Sequence, residues 1–512
     1  MSSLKTITKG AGIVFAGLVI AKALSFLYRL FIIRAYTATD YGLFSESVAV
    51  ITLLKTVAIF GMATAMVRYV AFYGAKKNGA GVRHVFTTIM KFSVPVSVAL
   101  AAASYLASDY IALSVFGEPG LADFLRVFSV SLPFYCSALL IAYYFMGLKM
   151  AKEQISLQEV APNLLRLAIL AAIWVAGVGA IGIAWSWTLS FVAVVLFSIP
   201  FIKRTRPFAF DAKDSRPAGL GVEILIFSIP MFVSDFVITL MNFMGTISVG
   251  IFNDATLVGI YNAAVPVADM LLIVPLSFSA LFMPLITECY SLRKAKLASM
   301  TNRFVIKWVF LVNLAGFMPM ALFSQQLLSA MFGSQYAIGG TALAILAVGF
   351  MVSSFEATAI GILAAIKKTR YIMISIVSSA AVSLLLSVYL VPPYGIIGAA
   401  LAMAISFILK TLISVTFVWK LKRINPLGNY VPKGLAAGAI AAVTVYIVYK
   451  SLFNGASLAV FGLFYVLFCL LYGSMLLLFK CFDKEDIEII KAVRKRTGLK
   501  LVLFSKIAKK LI

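Results

Sequence analysis

LSFLYRLFIIRAYTATDYGLFSESVAV, residues 24–50, holds the end of one apolar run and the start of the next, with a polar turn between them. Followed outward, the two runs cover 10–33 and 45–72. Each is long enough for a bilayer-crossing helix, which needs about 20 mostly apolar residues. Cations stand inside both runs: Lys22 and Arg29 in the first, Lys55 in the second. A charge at mid-bilayer costs about 2.5–3.5 kcal/mol even on insertion scales, so such residues usually face a protein-lined cavity or a partner.

The same pattern continues along all 512 residues, of which 62% are hydrophobic and 12% charged. Further spans are read at 85–107, 121–147, 156–176, 180–202, 221–246, 256–286, 303–323, 338–365, 370–391, 395–419, 433–450 and 457–479. The chain is therefore expected to be an all-α polytopic membrane protein with fourteen transmembrane helices, which leaves no room for a soluble catalytic domain. Pro230, Pro266, Pro275 and Pro284 fall in the seventh and eighth spans, where each marks either a kink or a helix end.

The net charge of +25 invites a nucleic-acid reading, but its placement argues against one. With the N-terminus in the cytoplasm, the inside segments carry twenty-three Lys and Arg, among them Lys76, Lys77, Arg83, Lys203, Arg293, Lys367 and Lys420. The outside loops carry two, Arg34 and Lys450. That asymmetry is the positive-inside rule, and it puts both termini in the cytoplasm. Four cysteines without paired spacing and a lone histidine, His84, point to neither a disulfide framework nor a metal site. The first apolar stretch is too long for the core of a cleaved signal peptide.

An internal repeat is visible. Gly179-Ala-Ile-Gly182-Ile-Ala184 recurs as Gly395-Ile-Ile-Gly398-Ala-Ala400, and Ser190-Phe191 matches Ser406-Phe407 at the same offset of 216. Asp40-Tyr-Gly42-Leu-Phe44 resembles Val-Gly259-Ile-Tyr261 at an offset of 217. Six helices per repeat, an even number, means that the halves enter the membrane the same way, as in parallel-repeat transporters. The expected organisation is a six-helix lobe at 1–202, a cytoplasmic inter-lobe loop at 203–220, a second six-helix lobe at 221–419, added helices thirteen and fourteen at 433–479, and a basic amphipathic cytoplasmic tail at 480–512. In the tail, Ile487, Ile490 and Val493 share a helical face beside Lys491, Arg494, Lys495 and Arg496, as suits a helix lying on an anionic leaflet.

Four stretches resemble polysaccharide-biosynthesis membrane proteins, the Wzx-type oligosaccharide flippases of the multidrug/oligosaccharidyl-lipid/polysaccharide (MOP) exporter superfamily. They are the opening quotation, EILIFSIPMFVSDFVITLMNFM at 223–244, LVGIYNAAVPVADMLL at 257–272 and YGIIGAALAMAISF at 394–407. FDKEDIEIIKAV at 482–493 extends the likeness into the tail. The resemblance implies a MATE-like V of two six-helix lobes around a central cavity, working by alternating access. It also implies a polyprenyl-(pyro)phosphate-linked oligosaccharide as substrate, carried from the cytoplasmic to the outer leaflet of the plasma membrane. Glycosyltransferases or a polymerase of the same pathway are the implied partners.

The residues support an anionic substrate independently. Lys22 and Arg29 lie two turns apart on one helical face, Lys55 is central in the second span and Arg166 central in the fifth. A phosphate needs such cations to replace its lost hydration, and arginine can offer it two donors. These four are the candidate headgroup site; snorkelling of Arg29 and ion pairs at Lys22 and Arg166 are the structural alternatives. Arg68, Lys91, Arg126, Lys307 and Lys410 lie nearer helix ends and read as snorkelling. The second lobe carries Asp235, Asp269 and Glu356, candidates for Na⁺ or H⁺ coupling or for gating, with local hydrogen bonding as the plain alternative. Glu46 and Asp123 are expected to pair with Arg34 and Arg126. Among the aromatics, Tyr143, Tyr144, Trp185 and Trp187 are candidates to stack on sugar faces.

No nucleotide-binding motif and no nucleophile–base pattern is present, so the chain reads as a transporter without cofactor rather than as an enzyme. A Na⁺- or H⁺-coupled MATE-type drug exporter is the first rival, disfavoured because its cationic substrates would be repelled by a lobe lined with Lys and Arg. A lipid II flippase is the second. A membrane glycosyltransferase or polymerase would need a sizeable acidic outside loop, which the sequence lacks.

Overall fold

A computed structural model of the chain describes residues 2–205, 219–424, 428–452 and 458–481. Most of the expected inter-lobe loop and nearly all of the expected tail lie outside the described residues. Among those residues the regular structure is helical, and twelve helices are long and apolar enough to cross a membrane. The principal helices are α1 (Ser2–Ala35), α2 (Ala38–Ile59), α3 (Met62–Ala75), α4 (Gly79–Leu106), α5 (Leu121–Gly147), α6 (Ala161–Val175), α7 (Ile181–Arg204) and α8 (Leu220–Phe252). They continue with α9 (Ala255–Asp269), α10 (Ile273–Ser291), α11 (Ala295–Leu322), α12 (Gly340–Ser353), α13 (Glu356–Ala365), α14 (Thr369–Lys422), α15 (Tyr430–Leu452) and α16 (Leu458–Leu478).

Local chemistry explains the breaks. The turn in the opening stretch is a capping box: Thr37 Oγ1 accepts from the Asp40 amide, while the Asp40 carboxylate accepts from Thr37, which starts α2 cleanly. The expected span 45–72 is two helices, because Phe60 and Gly61 take left-handed φ values of 50° and 71°. A side chain on Gly61 would collide with the backbone of α8 at Ser228 and Phe232, so glycine permits that approach. In the eighth span the bend is a 3₁₀ turn, Met270–Leu272, lying between Pro266 and Pro275. The expected eleventh and twelfth spans share the 54-residue α14, which turns at Gly395 (φ 52°, ψ −128°) just after Pro392-Pro393.

By packing, the chain forms two compact units: Met1–Ala263 with Ser383–Ala399, and Ala264–Val382 with Ala400–Ile512. The division falls inside α9 and α14 rather than at 203–220, because α8 packs on α2 and α3 of the first unit. Sequence order assigns a helix to a repeat, whereas close approach of backbones decides where it packs. In the first unit α5 is central, and Leu125, Phe128, Leu132, Cys136 and Leu140 are fully buried at helical spacing.

The repeat has a physical counterpart within this unit. A side chain on Gly42 would run into the Ala255 carbonyl, and one on Gly259 into the Ala38 carbonyl. The hydroxyls of Thr39 and Thr256, also 217 residues apart, meet at 3.0 Å. Equivalent residues of the two repeats thus touch each other reciprocally where α2 crosses α9, as in an isologous contact.

In the second unit the added pair α15–α16 packs on α11. Gly434, Gly438 and Ala442 form a small-residue stripe facing Leu311, Leu314 and Met318, and Tyr472 donates to the Leu311 carbonyl at 3.0 Å. In lipid, helices associate through such close packing rather than through hydrophobic exclusion.

Candidate functional site

A cavity of about 380 Å³ opens within the first unit, lined by residues of α1, α2, α5, α6 and α7. Two of the four expected cations line it. The Lys55 ammonium lies 5.5 Å from the centre of the Tyr135 ring. Arg166 is 9% exposed, with its guanidinium carbon 3.5 Å from the Trp187 ring centre and 4.7 Å from that of Phe191. Tyr135 stacks on Phe191 with centroids 4.3 Å apart, so one aromatic wall carries both cations. Among the described residues the guanidinium makes a single long hydrogen bond, from Nε to Ser190 Oγ at 3.4 Å. With five donors in its fork, Arg166 retains most of its capacity for an anion.

The other two cations do not line this cavity. Lys22 is exposed on α1, three residues from the lining Ser25. Arg29 is half-buried and donates to the Tyr41 hydroxyl at 3.4 Å, which itself donates to the Asn262 carbonyl. Lys22, Ser25 and Arg29 share one helical face at i, i+3 and i+7, so position along α1 rather than helical phase makes the split: Arg29 stands one turn beyond Ser25, where it meets Tyr41 of α2.

Sequence reasoning passed over Tyr135, Glu159, Asn163 and Phe191, all of which line the cavity. A signal for two of them was present: Glu159, Asn163 and Arg166 recur at i, i+4 and i+7, one helical face. Glu159 lies within the π-helical turn Ser156–Val160 that leads into α6. Of the aromatics singled out, Tyr143 and Trp187 line the cavity, Tyr144 is buried against Phe86 and Phe145, and Trp185 is exposed.

The acids are dispersed. Asp235 is exposed on α8, within electrostatic reach of Lys55. Asp269 is half-buried at the end of α9. Glu356 opens α13 in the second unit, where its Oε2 lies 3.0 Å from the Lys410 ammonium. Lys410 therefore does not snorkel, because it finds its counter-ion inside the protein. Lys307 is likewise buried, at 4% exposure on α11, and does not reach out either. Arg126 pairs with Asp123 as expected, and with Asp109 as well. Glu46 does not pair with Arg34: it is fully buried, and among the described residues neither carboxylate oxygen has a hydrogen-bond partner. The side chain of Glu46 lies toward Gly250 of α8.

The profile of the family described as "Polysaccharide biosynthesis protein" matches residues 7–289, more than half of the chain. The chain belongs to that family. Solved structures of similar fold include lipid II flippase MurJ in an inward closed conformation, 15% identical, with 91% of this chain and 98% of that one covered at a TM-score of 0.70. An inward-facing MATE-family multidrug resistance transporter of the MOP superfamily is 17% identical, with 82% and 94% covered and a TM-score of 0.62. A MOP superfamily transporter from Pyrococcus furiosus, described by the reverse polarity of its binding pocket, is 16% identical, with 82% and 96% covered and a TM-score of 0.54. None of the curated proteins compared with the chain matches it. This member of the polysaccharide biosynthesis family is a multi-pass membrane protein with the MurJ/MATE fold.

Proposed function

We propose that the protein flips a polyprenyl-(pyro)phosphate-linked oligosaccharide from the cytoplasmic to the outer leaflet of the plasma membrane by alternating access. The carrying observation is the cavity in which Lys55 and Arg166 stand against a wall of Tyr135, Trp187 and Phe191. Cations suit a phosphate and aromatic faces suit a sugar, so the lining matches the junction between lipid and glycan. At about 380 Å³ the cavity suits that junction and its first sugar, with the rest of the glycan outside.

In this reading the chain crosses the membrane fourteen times as two six-helix lobes plus α15 and α16, with both termini cytoplasmic. It works as a transporter without a bound cofactor, beside the glycosyltransferases or polymerase that make and use its cargo. A drug exporter for cations is disfavoured by the two cations of the cavity. The acid best placed to serve one, Glu356, is already paired with Lys410.

The test is movement of a labelled polyprenyl-pyrophosphate glycan across proteoliposomes. The full chain is expected to move it, and Arg166→Ala and Lys55→Ala are each expected to slow it about ten- to a hundredfold while still inserting. Absence of movement with the native chain, or unchanged movement in both variants, overturns the reading. An imposed Na⁺ or pH gradient in the same vesicles tests coupling.

A further inference from the structure

The cavity contains an anion of its own. Glu159 lines it together with Lys55 and Arg166, and both Arg166 and Lys22 act on its carboxylate through space. No ion pair within 4 Å closes between Glu159 and Arg166, so the two charges face a shared space without being locked together. The position of the carboxylate is built rather than incidental. It stands on the π turn Ser156–Val160, and the Asn163 amide donates to the Glu159 carbonyl at 2.7 Å, holding the turn that carries it. Gln158, its neighbour on the turn, is itself fixed by Gln154 at 2.7 Å. π turns inside helices are frequent at functional positions because they re-aim side chains.

We propose that Glu159 is a built-in counter-anion that occupies the field of Arg166 when the site is empty and is displaced by the phosphoryl group of the substrate. The inference rests on the function proposed above and adds a regulator of the same site. A cationic pocket in a low-dielectric surround holds a phosphate tightly, and a carrier that never releases its cargo does not turn over. A resident carboxylate weakens binding by competing for the same cation, and on release it neutralises Arg166 again. Glu159 therefore sets the affinity for the anionic end and keeps substrate exchange reversible, while Lys55, on the same aromatic wall as Arg166, holds the second charge.

The measurement is binding of inorganic pyrophosphate and, separately, of a polyprenyl pyrophosphate to the full chain in nanodiscs, alongside export in proteoliposomes. Glu159→Gln keeps shape and removes charge, so it is expected to bind both ligands about tenfold more tightly and to export more slowly, as loss of one near-range repulsion implies. Glu159→Asp, which keeps the charge, is expected to tighten binding less. The double variant Glu159→Gln/Arg166→Ala is expected to lose the gain, because the carboxylate acts through Arg166. A merely structural role would weaken binding in Glu159→Gln instead. Unchanged or weaker binding there, with Arg166→Ala still losing affinity, overturns the counter-anion and leaves the proposed function standing. Indifference of binding to Arg166→Ala overturns both. Tightening confined to the lipid-linked ligand places the displaced charge with the lipid pyrophosphate, and tightening for both supports the phosphoryl group alone.

Discussion

Phe191 and Phe407 occupy equivalent positions in the two repeats, and each carries a cation: Arg166 at 4.7 Å in the first unit, Lys410 at 4.9 Å in the second. The fates of the two cations differ. Arg166 arrives from a neighbouring helix, stacks on Trp187 and faces a cavity. Lys410 comes from the same helix as its phenylalanine and is held at 3.0 Å by Glu356. The duplicated phenylalanine has thus been kept in both halves, with one cation left open to an anion and the other neutralised in place. The difference teaches that position in a repeat says where a charge sits, whereas its partner decides whether it can bind anything.

The comparison can be broken most forcefully in the second unit. Glu356→Ala leaves Lys410 buried without its partner and is expected to cost about 3–5 kcal/mol of stability. Thermal melting in detergent reads the loss, and Glu356→Leu with Lys410→Leu together is expected to restore most of it. No recovery would mean that the pair does more than hold itself. In the first unit, Arg166→Ala is expected to reduce export by about ten- to a hundredfold with little change in melting, since charged hydrogen bonds to a ligand are worth about 1.5–3 kcal/mol. A large drop in stability there would place Arg166 with Lys410 as a structural cation.

The aromatic platform offers a finer contrast. Phe191→Leu is expected to weaken pyrophosphate binding about two- to tenfold, the range of a cation–π contact, and Phe407→Leu to leave it unchanged. Equal effects in titration calorimetry would erase the distinction between the halves. The smallest effect is expected at Lys22. Lying off the cavity lining, Lys22→Ala should change export less than about threefold, a through-space effect of one charge in a partly wet site. A complete loss of export would return Lys22 to the headgroup site.

Much of the architecture was legible in the residues. Runs of apolar residues, the break at Pro392-Pro393-Tyr394-Gly395 and the offset linking Gly42 to Gly259 each leave a local mark, whereas the left-handed turn at Phe60-Gly61 lies hidden inside the apolar run 45–72. The site was legible only in part. Lys55 and Arg166 stood out because charge is rare in a span, but Tyr135 and Phe191 are two among 21 Tyr and 41 Phe and carry no distinguishing mark of their own. Glu159 was hidden by its place at the edge of a span, where a carboxylate passes for an ordinary helix-end charge. Lys410 misled for the same reason, since a lysine near a helix end resembles a snorkelling one until its neighbour is known.

The sequence by itself determined that the chain is a duplicated bundle of membrane helices with cations in its first half. The bilayer imposes a length and an apolarity on every span, and both are written locally. Tertiary structure alone decided which charge meets which group: Arg166 with Trp187, Lys410 with Glu356, Glu46 with no hydrogen-bonding partner among the described residues. Those meetings depend on the rotation and crossing of helices far apart in the chain, and a turn of about 100° per residue carries a side chain from cavity to core within one position.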